Sequence, residues 1–311
     1  MAVVLVGLSS LIGCASKPQP IAAQAVLASH PLATRTTASS PTLIPVTTPV
    51  LPTALPSSTP LSASSETAAT AEPDPTPAPA LGQFPYSTSL QVVDDDGVTR
   101  TVDVNFLLYL PADYGQDPQR RWPLILFLHG ASERGYNPLD ITRYSIPAFL
   151  TTRSDFPFIV LSPQSLPDNW WSNQVDMLNA LLDQIQTDYA VDPKRIYLTG
   201  QSMGGFGTWA LALKYPARFA AIVPVASGYD VTADVVPPNI CNLKSVPIWV
   251  FHGALDQSLS PDQVTAMVQA LQNCPGHVRF TLYPDADHLG SSNRAYADPE
   301  LYDWLLQQSL K

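Results

Sequence analysis

One short stretch, Gly200-Gln201-Ser202-Met203-Gly204-Gly205, sets a serine between glycines two residues to either side. That spacing suits a hydroxyl carried on a turn too tight for side chains at the flanking positions. The pattern alone is weak, because Gly and Ser are common enough to produce it by chance in about one chain of this length in ten. Its partners must decide. A serine hydroxyl attacks only once a base takes its proton, and the chain has five histidines. His30 stands in a proline-rich stretch, His129 and His252 end apolar runs, and His277 begins one. His288, in "YPDADHLGSS", stands in a loop after an apolar run and is the candidate base. An imidazole in that role needs an acid to fix its tautomer. Asp256, four residues past His252, is the choice; Asp285 and Asp287 share the loop with His288, and Asp262 opens a helix. Such a set performs nucleophilic acyl transfer, in which negative charge develops on the attacked oxygen. Backbone N–H donors must meet that charge. Met203 is one candidate donor, and Ala131 in "HGASERG" (His129 to Gly135) the other, with Ser132 as its alternate.

These residues need elements that bring them together. From Ser87 onward, extended apolar runs alternate with helical periodicity. Leu90 to Val93 and Val98 to Leu110 flank Asp94-Asp95-Asp96-Gly97, the chemistry of a hairpin turn. Runs at Trp122–Gly130, Phe156–Gln164, Lys194–Gly200, Phe219–Ser227, Val246–Gly253 and His277–Pro284 are continuously apolar, as parallel strands covered on both faces are. Val175, Leu178, Leu182, Ile185 and Tyr189 recur on one helical face, and further helices are expected at Pro261–Asn273 and Asp298–Leu310. The expected fold is α/β: a mostly parallel, doubly wound sheet with an antiparallel start. Loops at the carboxyl ends of such strands converge on one site. About 20 residues separate the runs ending near Ala226 and beginning at Val246, too few for a large lid domain. Trp170 and Trp171 follow the second long run and are candidate walls of a substrate site. Tyr136 and Tyr229 are weaker ones. Glu133 and Arg134 are expected to pair and hold their loop.

Composition divides the chain near residue 83. All of its Phe, Trp and Tyr residues lie from Phe84 onward, whereas Pro18 to Ala80 holds 13 of the 32 prolines and no glycine. Residues 14–83 therefore read as a Pro/Ser/Thr/Ala-rich tether that cannot bury enough apolar area to order itself. Residues 84–311 suffice for one large domain. Val3 to Ile12 is apolar, too short to span a bilayer, and leads into Leu11-Ile12-Gly13-Cys14. Cys241 and Cys274, 33 positions apart, are a possible disulfide pair in an oxidising compartment. The net charge of −10 argues against a nucleic-acid partner. Nothing in the spacing of Cys, His or acidic residues suggests a metal or other cofactor, and a monomer is expected.

The glycine-flanked serine, the His-Gly loop, "FHGALD" and "DADHLGSS" together resemble the α/β-hydrolase superfamily, whose Ser, acid, His order matches Ser202, Asp256, His288. Within it the chain is similar to bacterial serine esterases grouped with predicted peptidases, poly(hydroxybutyrate) depolymerases and feruloyl esterases. The resemblance spans about Phe84 to Lys311. It implies the α/β-hydrolase fold and hydrolysis of carboxylic esters of bulky or polymeric substrates through an acyl-enzyme. Many such esterases carry His-Gly-Ala-Gly-Glu-Arg-Gly, where Ser132 here replaces the second glycine. Residues 1–13 resemble a lipoprotein signal with Cys14 as the lipidated residue, although no basic residue precedes the apolar run. That likeness implies an extracytoplasmic protein anchored to a membrane by its N-terminus. The rival readings are a serine peptidase of the same fold and a surface binding protein without turnover.

Overall fold

Residues buried on both faces form the centre of the sheet. In the computed structural model, residues 82–229 and 236–311 are described. The expected signal segment, Cys14 and the proline-rich tether through residue 81 lie outside the described residues. All seven residues of β3 (Trp122–Leu128) are buried, as are those of β4 (Ile159–Pro163), β6 (Ala221–Val225) and β7 (Ile248–Gly253). Continuous apolar sequence is what such strands require, because helices cover both faces. β5 (Val191–Gln201) and β8 (Val278–Tyr283) complete the parallel set. β1 (Gly82–Val93) and β2 (Thr99–Leu110) form the antiparallel hairpin, and β2 pairs antiparallel with β4. The eight strands run in the order β1-β2-β4-β3-β5-β6-β7-β8.

The helices sort by face. α2 (Val175–Asp188), α3 (Met203–Lys214) and α4 (Pro261–Gln272) pack over one apolar cluster that includes Leu126, Leu198 and Trp209. α1 (Ser145–Leu150), α5 (His288–Ala297) and α6 (Pro299–Leu306) cover the other, around Phe127, Phe158 and Tyr296. Local chemistry sets several starts. Ser260 caps α4 by accepting from Asp262 N–H, with Pro261 in the first turn. Asp298 caps α6 in the same way before Pro299.

Three expectations need correction. His288 is the first residue of α5 rather than a loop residue, because Asp287 caps that helix by accepting from Gly290 N–H. The last helix stops at Leu306, four residues early. There the chain turns back on β5, with Leu310 N–H donating to Lys194 O and Tyr197 Oη to Gln308 O. α1, with no clear periodic signal, was not anticipated. Between β6 and β7 the described residues carry a single 3-10 turn, Ile240–Leu243, and no lid helix; residues 230–235 lie outside the described set. Among the described residues no helix is long and apolar enough to cross a membrane.

Cys241 and Cys274 are joined, with Cα atoms 5.5 Å apart, and so staple that turn to the end of α4 on either side of β7. Replacing both by alanine is expected to lower stability by about 3–4 kcal/mol for a loop of this length. Calorimetry should read this as a fall of about 10 °C in the thermal midpoint; an unchanged midpoint would show that the crosslink carries no stability.

Candidate active site

Ser202 sits between β5 and α3 with φ 53° and ψ −119°, a backbone conformation that non-glycine residues rarely adopt. Its N–H donates to Val225 O at 3.0 Å, and its carbonyl accepts from the N–H groups of Gly205 and Phe206. The flanking glycines are needed for space. A Cβ on Gly204 would lie 1.8 Å from Leu128 O, and one on Gly200 would lie 2.3 Å from Gly204 O. The first turn of α3 therefore rests directly on the end of β3, which brings the residue after Ser202 against the loop that begins at His129.

That loop is pinned from beneath. His129 is fully buried; its Nε2 accepts from Ser165 N–H at 3.0 Å, so Nδ1 carries the proton and donates to Gly130 O at 2.6 Å. Burial drives its pKa down to about 4, which keeps the ring neutral and structural. Ala131 and Ser132 are exposed, while Glu133 turns fully inward. The expected Glu133–Arg134 ion pair is not formed. Arg134 instead donates to the carbonyls of Ala131 (3.1 Å) and Asn169 (3.5 Å), while Glu133 accepts from Ser132 Oγ and Gln201 Nε2.

On the far side of the sheet edge, His288 Nδ1 lies 2.7 Å from Asp256 Oδ2. A carboxylate only accepts, so Nδ1 donates, which leaves Nε2 as the nitrogen able to take a proton in the neutral tautomer. Asp256 Oδ1 accepts from the N–H groups of Ser258 (2.9 Å) and Leu259 (3.0 Å). Burial pushes its carboxyl up, but the His288 bond, the two N–H groups and the charge of the ring outweigh that and hold it below its ordinary value. The rival acids are engaged elsewhere. Asp285 pairs with Arg294 at 2.6 Å, and Asp287 caps α5. His252 is buried, its pKa lowered chiefly by desolvation, with Nε2 donating to Leu259 O at 3.2 Å. Among the described residues the Ser202 hydroxyl makes no hydrogen bond, so the serine–imidazole leg is open here. Catalytic bonds are often long before substrate arrives.

The two tryptophans separate. Trp171 is wholly buried, donates Nε1–H to His129 O at 2.9 Å, and fills the space beside Gly207, whose added Cβ would meet it at 2.3 Å. It cannot line a substrate site, because its ring supports the His129 loop from below. Trp170 is exposed, 5.8 Å from the Arg134 guanidinium. Tyr136 is exposed, whereas Tyr229 is partly buried against the core. Gln201, buried at the foot of the serine turn, was missed by reasoning from sequence; the only available signal was its place inside the glycine-flanked motif. Among the described residues no cluster of His, Cys, Asp and Glu could hold a metal ion.

The sequence pattern of a phospholipase/carboxylesterase family matches residues 155–295. The chain is 26% identical over 201 residues to a bifunctional acetylxylan esterase/xylanase of Neocallimastix patriciarum, covering 58% of this chain and 26% of that protein. Across the first curated relatives it spans between about a quarter and just over half of their lengths. A solved thermostable esterase is 29% identical with TM-score 0.56, over 72% of this chain and 63% of that one. An acylaminoacyl peptidase of Pyrococcus horikoshii, 14% identical with TM-score 0.55 over 75% of this chain and 43% of that one, shares the fold alone.

Glu133 generates a stability test. Burial raises its pKa from the ordinary 4.5 to about 7, against the opposing pull of the Ser132 hydroxyl and nearby backbone N–H groups. Between those values the folded chain binds more protons than the unfolded one, so stability falls as pH rises from about 4.5 to about 7. The loss is on the order of 3 kcal/mol at 1.36 kcal/mol per unit. Thermal midpoints at pH 5 and pH 8 should show this fall in the wild type and its removal in Glu133→Gln; parallel midpoints would contradict it.

Proposed function

We propose that this chain, which has the α/β-hydrolase fold and matches a phospholipase/carboxylesterase pattern over residues 155–295, is a serine carboxylic-ester hydrolase working through Ser202, His288 and Asp256. The observation that supports this is that a strained serine turn follows β5 while an Asp256–His288 pair joined at 2.7 Å follows β7 and β8, at the carboxyl ends of strands of one parallel array. In the proposed reaction Ser202 Oγ attacks the ester carbonyl carbon as its proton passes to His288 Nε2. Asp256 stabilises the resulting imidazolium. The N–H groups of Met203 and Ala131 receive the developing oxyanion. His288 then protonates the leaving alkoxide, and a water molecule, deprotonated by the same ring, releases the acid.

Exposed apolar side chains on the segments after these strands support a bulky ester as substrate. Tyr136, Leu139, Leu166, Trp170, Leu255 and Leu289 are exposed on the segments that follow β3, β4, β7 and β8, the same edge that carries the site. The acetylxylan esterase relative acts on a polymer-borne ester by its name, and the same class of substrate suits the exposed apolar residues here. In this reading Trp170 is the substrate-contacting member of the tryptophan pair. Cys14 is the lipid-bearing residue of a protein anchored outside the cytoplasm, a setting with which the Cys241–Cys274 link agrees.

Ser202→Ala is expected to reduce hydrolysis of p-nitrophenyl acetate at least about a thousandfold and to abolish labelling by a fluorophosphonate probe. Asp256→Asn should cost about 10⁴-fold in kcat, because the ring loses its held tautomer. Labelling that survives in Ser202→Ala would defeat the assignment, and a peptide substrate turned over faster than any ester would favour a peptidase.

A further inference from the structure

Gln201 takes no part in the chemistry just described, yet both ends of its buried amide are engaged. Oε1 accepts from Ser145 Oγ at 2.5 Å, and Nε2 donates to Glu133 Oε1 at 3.4 Å. In this orientation the Ser145 hydroxyl donates to the amide oxygen and the amide N–H donates to a Glu133 oxygen, so each partner is matched. The other Glu133 oxygen accepts from Ser132 Oγ at 3.2 Å and lies 3.1 Å from where a Cβ on Gly130 would stand. One amide thus links three segments: the serine turn, the loop from Gly130 to Glu133, and the first residue of α1, itself held at φ 57°.

We propose that Gln201 and Glu133 are positioning residues that set the separation between the Met203 and Ala131 N–H groups. The inference rests on the reading of Ser202 as the nucleophile. Those two donors belong to different segments, one opening α3 and the other following β3, so no single element fixes the distance between them. The contact of Gly204 with Leu128 O and the bonds of His129 hold the near end of the β3 loop. At the far end the Glu133 carboxylate is bound to Gln201, which immediately precedes the nucleophile. With both ends held, the exposed span of Ala131 and Ser132 has a defined height above the serine. An oxyanion hole needs that definition, because its donors act at 2.7–3.1 Å from a charge that exists only during reaction.

The test uses the full chain and six variants, Glu133→Ala, Gln201→Ala, the double alanine variant, Glu133→Gln, Ser145→Ala and Ser202→Ala. It measures kcat and KM for p-nitrophenyl acetate, and the affinity for phenylboronic acid, whose tetrahedral serine adduct sets an oxygen in the hole. Glu133→Ala and Gln201→Ala should each lower kcat by about 10- to 100-fold, somewhat less than outright loss of a donor. KM should change less than about threefold, and boronate affinity should fall by the same factor as kcat. The double alanine variant should be about as impaired as the worse single one, since the two act as a unit. Glu133→Gln, whose amide can meet a rotated Gln201, should keep most of kcat. A folded alanine variant with full kcat, a loss confined to KM, or additive losses with boronate affinity intact would each overturn the proposal. Should the alanine variants fail to fold, Ser145→Ala cuts the bridge at its half-buried end. It should lower kcat and boronate affinity together by a smaller factor, and wild-type values for both would overturn the proposal. Ser202→Ala separates the two levels: if it retains hydrolysis, the nucleophile reading fails. If it is inactive while the bridge variants match wild type, only the positioning role fails.

Discussion

The whole site depends on the close approach of one helix to one strand end. With only 1.8 Å between a would-be Gly204 Cβ and Leu128 O, the first turn of α3 can sit on β3 only if both positions around the serine lack side chains. That contact forces Ser202 into its left-handed conformation, which costs of order 1–3 kcal/mol and persists because the surrounding sheet over-determines it. Ser145 at φ 57° and Ala226 at φ 48°, the other non-glycine residues with positive φ among those described, also neighbour this turn. Ser145 bonds Gln201, and Ala226 directly follows the strand to which Ser202 N–H donates. The strain is concentrated where three strand ends meet.

Environment, more than residue type, assigns the roles of the histidines. His129 and His252 each end a buried apolar run and have pKa values lowered chiefly by desolvation; backbone groups hold His129, while His252 Nε2 meets Leu259 O and lies 3.4 Å from Asp256 Oδ2. His288 keeps one nitrogen on a buried carboxylate and leaves the other free. The same low dielectric that silences two rings makes the Asp256 partnership strong, since that carboxylate also collects two backbone N–H bonds and stays charged.

The strands were readable because burial on both faces writes itself as unbroken apolar runs, and the serine turn because close backbone approach leaves glycines at fixed offsets. Asp256 could be separated from Asp285 and Asp287 by reach along the backbone, and the structure adds the reason: one rival is paired with Arg294 and the other caps α5. α5 itself was not readable. Its start depends on a cap within a polar stretch that resembles a loop, and its apolar face is short. Trp171 and Glu133 were misjudged for a common reason. Sequence shows that a large or charged residue lies near a site but not which way it points, and both turn inward, one as a wedge and one as an anchor. Gln201 carried no warning because the motif leaves its position unspecified.

The short connection between β6 and β7, with a single 3-10 turn among its described residues, has a consequence for the second half of the proposed reaction. Among the described residues no helix covers the serine, so in the proposed reaction the acceptor of the acyl group would be set by concentration at the mouth rather than by exclusion. In that reaction bulk water would win the competition under dilute conditions, while a concentrated small alcohol would divert the acyl group into a new ester.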